Sequence, residues 1–198
     1  MDIETLGLDP RIHQISEVAG VLLDADSKQE ISYYQSYITP VAPVFFEKSA
    51  LAKTGISIEK LYAEGKPSKC VWAGLMKWLN GEVNDTFNIQ TVCMNKVFDM
   101  PRIINELATY GYEQPWNFSG KWDIMDMARD YGIDSDGYSL ENFCDYFGIS
   151  TIGAHGALPD ARMTAECFRR FEAIRQRVID VMQLPPMQRY LNNVRGLP

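Results

Sequence analysis

The chain has 198 residues, 46% of them apolar and 12% aromatic, with a formal net charge of −7. That size and composition suit one packed domain and exclude a disordered chain. The acidic balance excludes a protein that grips long duplexes by charge alone, so nucleic acid would have to be held locally, through metals, stacking and a few Arg or Lys side chains.

In chain order, Met1-Asp-Ile-Glu-Thr-Leu-Gly7 reads as the end of a strand, followed by a turn around Gly7-Leu-Asp-Pro10. Gln14 to Asp24 reads as a strand, Asp24 to Lys28 as a hairpin turn, and Ile31 to Ile38 as the returning strand. Thr39-Pro-Val-Ala-Pro43 closes that hairpin. Ser57 to Ala63 reads as a short helix capped by Ser57. Ser68 to Leu79 is a longer one, with Val71, Leu75, Trp78 and Leu79 apolar. Phe87 to Cys93 reads as a strand, and Asp99 to Tyr110 as a helix stopped by Gly111. A short strand is expected near Asn117 to Ser119. Helices follow at Asp123 to Tyr131, Ser139 to Phe147 and Asp160 to about Met182. The chain thus divides into one domain, 1–182, and a less ordered tail, 183–198. Strands first and then alternating helices and strands indicate an α/β fold, a mixed sheet flanked by helices.

The four cysteines (Cys70, Cys93, Cys144, Cys167) are scattered without a Cys-x-x-Cys pair. This argues against structural zinc and against a disulfide framework, and a reducing cytoplasm is the simpler reading. There is no basic-then-apolar leader and no apolar run of membrane-spanning length, so a cytoplasmic protein with no membrane partner is expected.

Five residues carry the chemistry. Asp2 and Glu4 are two apart, and on a strand such residues point to one face and can reach one metal cluster. Asp99 precedes Pro101; by itself it reads as the cap of a helix, though a cap whose carboxylate faces the strand ends can also bind metal. Asp160 sits at a loop-to-helix junction, where the helix dipole alone would favour an acid. His155 precedes it on a loop that can bring a base to the substrate. Each block has an ordinary structural explanation by itself: solvated acids, a helix cap, a loop histidine. Together, four carboxylates and one imidazole are what two-metal cleavage of a phosphodiester needs.

Order, spacing and flanking residues make the set far more specific. The blocks are Asp2-Ile-Glu-Thr-Leu-Gly-Leu-Asp-Pro10 with Gln14-Ile-Ser-Glu-Val-Ala19, then Asn95-Lys-Val-Phe-Asp99, then His155-Gly-Ala-Leu-Pro-Asp-Ala161 running into Thr164-Ala-Glu-Cys-Phe168. Between the last two lie Trp122-Asp-Ile-Met-Asp-Met-Ala128, Ser139-Leu-Glu-Asn-Phe-Cys144 and Phe147-Gly-Ile149. From Asp2 to about Phe171 the chain resembles the DEDDh family of 3′→5′ exonucleases, which includes proofreading subunits, ribonuclease T and oligoribonuclease. The resemblance implies an RNase H-like fold with a mixed five-stranded sheet and two divalent cations, Mg²⁺ or Mn²⁺. Asp2, Glu4, Asp99 and Asp160 would be the ligands and His155 the general base. Thr5 and Leu6 would meet the 3′-terminal nucleotide, with Leu6 wedged against the base. Phe98 would pack near the last sugar or base, and Asn95 would steady the turn before Asp99. His13 lies outside the motifs and is assigned no catalytic role.

Two features depart from the family pattern. Met94 stands where a His commonly precedes the motif-two Asn. Asp2 is the second residue, whereas the family's first strand normally starts several residues earlier. Either that strand is unusually short or residues upstream belong to it. The expected substrate is the 3′ end of single-stranded or frayed DNA, because motifs one and three read closer to proofreading-type domains. The alternatives are an exoribonuclease trimming short RNA and an inactive nuclease-fold binding module, against which the presence of all five residues argues. A homodimer or a polymerase partner is compatible with the family. Arg162, Arg169, Arg170, Arg175 and Arg177 line the last helix, either as a solvated face balanced by Glu166 and Glu172 or as steering charges for phosphate.

Overall fold

A computed structural model describes residues 1–83, 89–112, 123–133, 137–184, 186–188 and 191. The strand expected near Asn117, the start of the one expected from Phe87, Trp122 and most of the tail lie outside the described residues. Three strands form one antiparallel sheet in the order β1-β2-β3: β1 (Asp2–Thr5), β2 (Ile15–Leu23) and β3 (Glu30–Tyr37). The β2–β3 hairpin is closed by Asp24, whose carboxylate accepts from the backbone N–H groups of Asp26 and Ser27. The segment expected as a strand up to Cys93 is not regular where it is described. It meets the residue before β1 at one point, where the Met1 amino group donates to the Val92 carbonyl at 2.8 Å, and Cys93 forms an isolated parallel bridge with Asp123, outside the sheet.

Seven helices are described: α1 (Lys48–Thr54), α2 (Ile58–Glu64), α3 (Ser68–Glu82), α4 (Lys96–Thr109), α5 (Ile124–Asp130), α6 (Leu140–Phe147) and α7 (Ala157–Gln183). Ser57 caps α2 and Ser139 caps α6, each accepting from the N–H three residues on. Helix α1 is absent from the sequence reading. It has no buried residue, so it writes no apolar stripe into the sequence.

The helices bury the two faces of the sheet. Ile3 and Val18 look toward α3 and α4, in a core with Trp72, Leu75, Ile103 and Leu107. On the opposite face Ala19 packs with Ala157 and Leu158 of α7. Beyond α7 a second core gathers Ile124, Met127, Phe143, Cys144, Cys167, Phe168 and Phe171. Phe171 is its hub, with the rings of Tyr131, Phe143 and Phe147 at 6.0, 6.2 and 5.1 Å. Met94, one of the departures from the family pattern, packs into this core. All four cysteines are free thiols. Along the last helix Arg162 pairs with Glu30, Arg169 and Arg170 with Glu166, and Arg175 with Glu172, the balanced face.

An apolar groove of 690 Å³ runs beside Gly20–Leu23, lined by Trp78, Leu79, Ile89, Val92 and Phe168 among others. None of the five candidate catalytic residues lines it. No described helix is long and apolar enough to cross a membrane.

Because Phe171 is fully buried with three aromatic neighbours, Phe171→Ala is expected to cost about 3–5 kcal/mol of stability in urea unfolding.

Candidate active site

Strand β1 alternates: Ile3 and Thr5 are buried, while Asp2 and Glu4 share the other face. Their cross-strand partners are Ala19 and Glu17. Ala19 is small, and α7 settles close over this face, bringing in Asp160 from its first turn. One carboxylate oxygen each from Asp2, Glu4 and Asp160 lies within 4.8 Å of the others, and all three residues are half-buried. These are the only described residues that form such a group of possible metal ligands.

Asp99 comes from the far side of β1. It is not the cap of its helix. Asn95 is: its Oδ1 accepts from the Phe98 N–H at 3.3 Å, and α4 starts at Lys96. An Asp two residues before Pro101 suggests a helix that begins at Asp99, yet the helix begins three residues earlier and holds Pro101 within it. Moving the cap to Asn95 frees the Asp99 carboxylate, and that side chain is buried beside Asp2. Helix α7 likewise starts three residues earlier than expected, at Ala157.

Burial raises all four acids, and neighbouring cluster acids add to it at Asp2 and Glu4. Asp2 is held well above the ordinary carboxylate range by burial, then by Asp99, Glu4 and Asp160. Glu4 is pushed to about 7 by burial, then by Asp160 and Glu17. Asp99 is pushed to about 7 by burial, against the pull of the amino terminus and Arg102. Burial raises Asp160 too, opposed by the hydrogen bond from the His155 N–H. Burial and like charge both favour the protonated form of a carboxyl, and a bound cation would remove that penalty.

His155 lies in the loop before α7 with a left-handed backbone, φ 71°. Its N–H donates to Asp160 Oδ1 at 3.0 Å, and its Nδ1 is 3.7 Å from Glu141 Oε1. The loop conformation thereby ties the histidine to one of the clustered acids. Glu141, from α6, escaped the sequence reading because only the fold brings it to the histidine.

The motif-one turn is built differently from expectation. Leu6 is 1% exposed, packed with Ile56 and Leu61, and its N–H already donates to Gln14 O. Its side chain is therefore a core anchor and is not free to wedge against a base. Thr5 is buried as well, with Oγ1 donating to Gly7 O at 2.9 Å. The apolar side chain that this turn offers to solvent is Leu8, at 69% exposed. Arg102 ties it to motif two: its guanidinium donates to the carbonyls of Leu8 and Phe98 and lies 3.8 Å above the Phe98 ring. Neither Leu8 nor Arg102 was singled out in the sequence. His13 packs over the turn, accepting from the Asp9 N–H at 3.0 Å. A Cβ on Gly7 would fall 2.6 Å from that ring, so any side chain there would have to displace His13.

The raised carboxyls give a stability signature in cation-free protein. Groups whose folded pKa exceeds the unfolded value of about 4 hold protons in the native state that the unfolded chain releases. Their contribution is complete below about pH 4 and is lost as pH rises through the folded values, about 7 for Glu4 and Asp99. Thermal unfolding in chelator is expected to show Tm falling between pH 5 and pH 8, with a shallower fall in Glu4→Gln.

The family model described as an exonuclease, of the ribonuclease T type, matches residues 1–168. The 3′-5′ DNA exonuclease Cap18 of Escherichia coli is 26% identical over 180 residues, 89% of this chain and 92% of that protein. The nuclease domain of 3′hExo, a DEDDh family member solved bound to rAMP, superimposes with a TM-score of 0.71 at 18% identity, over 87% of this chain and 89% of that one. The zinc-bound complex of E. coli exonuclease I with single-stranded DNA gives 0.73 at 22% identity, over 91% of this chain and 41% of that one. With this match over most of its length, the chain belongs to the exonuclease family that the model describes, and it has the α/β fold of the DEDDh nucleases.

Proposed function

We propose that this protein removes nucleoside 5′-monophosphates one at a time from the 3′ ends of single-stranded or frayed DNA. The observation that carries the reading is the convergence of Asp2, Glu4 and Asp160 on one point, with buried Asp99 beside Asp2 and His155 bonded to Asp160. Similarity to a DNA exonuclease over nearly the whole of both chains favours DNA. The five-stranded mixed sheet of the family belongs to the same reading, with the segment ending at Cys93 and the region of Asp123 as its fourth and fifth positions. Their single-point contacts, with the residue before β1 and with each other, support that placement.

The donor set fits hard divalent cations. All four groups are carboxylates, and without a cation they are forced toward their neutral forms. Asp2, Glu4 and Asp160 would hold one Mg²⁺ or Mn²⁺, and Asp2 with Asp99 the second. When bound, such ions supply Lewis acidity and positive charge at the scissile phosphate.

The chain's own residues do the rest. His155 Nδ1 faces Glu141, which leaves Nε2 to accept a proton from the attacking water. The water oxygen bonds to phosphorus, the bond from phosphorus to the 3′ oxygen of the preceding nucleotide breaks, and that oxygen takes a proton from solvent. The Asp160 bond to the His155 N–H keeps the base in step with the cluster. Leu8 and Phe98, joined by Arg102, would bear on the terminal sugar and base. Thr5, Leu6 and Asn95 would act indirectly, by shaping the turns that carry these side chains.

The test uses matched 5′-labelled DNA and RNA oligonucleotides with Mg²⁺ or Mn²⁺. A descending 3′-end ladder on DNA is expected, abolished by chelator and by Asp2→Ala. His155→Ala should lower the rate by about 10²–10⁴-fold, the usual contribution of a general base. Degradation of RNA alone would replace DNA by RNA as the substrate, and cleavage of neither would sink the proposal.

Cation binding should also be visible without substrate. Mn²⁺ is expected to raise Tm more at pH 7.5 than at pH 5, because protons compete for the same carboxylates at the lower pH. An equal rise at both pH values would count against binding at this cluster.

A further inference from the structure

Among the buried acids outside the machinery just described, one touches both the sheet and α7. Glu17, on β2, is 1% exposed, directly across from Glu4. Its Oε2 accepts the backbone N–H of Ala157 at 3.1 Å, and its Oε1 accepts from Gln35 Nε2 on β3 at 2.5 Å. Ala157 is the first residue of α7, and the preceding cap, Gly156, has no side chain with which to satisfy that helix end. A 27-residue helix thus takes its N-terminal acceptor from a strand 140 positions away.

We propose that Glu17 is a positioning residue for the exonuclease reaction, pinning the start of α7 to the strand pair that carries the catalytic acids. The inference rests on the function proposed above. Asp160 lies one turn into α7 and His155 two residues before it, with the Asp160 side chain closing on the His155 N–H. The segment between them is therefore held at both ends, by Glu17 at Ala157 and by Asp160 at His155. Because Glu17 is the cross-strand partner of Glu4, one strand pair sets the distance from Glu4 to Asp160. A serine cap at position 156 would satisfy the helix end in part, through the Leu158 N–H since Pro159 has none, but it would fasten the helix to nothing.

That difference defines the experiment. Four proteins are compared with the parent: Glu17→Ala, Glu17→Gln, Gly156→Ser, and the double variant Glu17→Ala with Gly156→Ser. Gly156 has φ −126° and ψ 143°, a conformation open to a serine cap, and an added Cβ would meet nothing closer than 3.5 Å. Measured are Tm, kcat and KM on single-stranded DNA, and Mn²⁺ affinity by calorimetry.

Glu17→Ala is expected to lower kcat and Mn²⁺ affinity by about 10–100-fold, as loss of the support behind a metal ligand does, with KM little changed. Glu17→Gln should stay close to the parent, because its carboxamide oxygen still accepts the Ala157 N–H. The double variant should recover part of the Tm lost in Glu17→Ala, through the Leu158 N–H, but neither kcat nor Mn²⁺ affinity when set against Gly156→Ser alone. Recovery of all three would overturn the proposal and reduce Glu17 to a helix cap, as would unchanged kcat and Mn²⁺ affinity in Glu17→Ala. If the parent cleaves neither DNA nor RNA, the exonuclease reading fails instead, and the Mn²⁺ affinities still decide whether Glu17 places Asp160.

Discussion

The burial of carboxyl groups governs this molecule. Asp2, Glu4, Asp99 and Asp160 are brought to one end of a small sheet, where burial pushes each toward its neutral form and the neighbouring acids add to it at Asp2 and Glu4. No helix or strand would choose that arrangement on its own account, since each acid is more stable in water. The surrounding structure therefore has to over-determine it. Strand alternation fixes two of the acids, a cap at Asn95 fixes the third, and the packing of α7 over Ala19 fixes the fourth. The aromatic core around Phe171 belongs to this economy. It anchors α7 far from the site, so that the first turn of the helix can sit against the charged face of the sheet.

The parts that were legible in the sequence are those governed by local rules. The spacing of Asp2 and Glu4 obeys strand alternation, the Asp24 hairpin obeys turn chemistry, and Ser57 is a cap with the expected bond. Local rules misled at Asp99, where the nearby proline suggested a helix start that lies at Lys96. They also misled at Leu6 and Leu8. Both are leucines in one turn, and only the tertiary fold decides that one packs on Ile56 and Leu61 while the other faces solvent. Helix α1 was invisible for want of an apolar face. Glu17, Gln35, Glu141 and Arg102 act through partners distant in sequence or brought near by folding, which periodicity does not register.

The site is also asymmetric in how its two sides are held. On the acid side, contacts are backbone-based and deeply packed: strand pairing, helix ends and the Glu17 bond. On the Leu8 and Phe98 side, one guanidinium does the joining, reaching from α4 to the motif-one turn. A rigid reactive centre beside a lightly tied apolar edge suits an enzyme that performs one chemistry on four different bases, because the edge can adjust to each base while the acids stay fixed.

The left-handed backbone at His155 has a consequence for how such a protein changes over generations. A side chain at φ 71° carries a conformational cost, about 1–2 kcal/mol, that glycine escapes and asparagine partly escapes. With His155 in its proposed role, selection for stability and selection for proton transfer pull this position in opposite directions. Once hydrolysis ceases to be selected, drift toward glycine here would leave the fold steadier and the carboxylates intact. The loop geometry thus opens a short evolutionary path from a nuclease to a scaffold that still binds cations and nucleic-acid ends without cutting them.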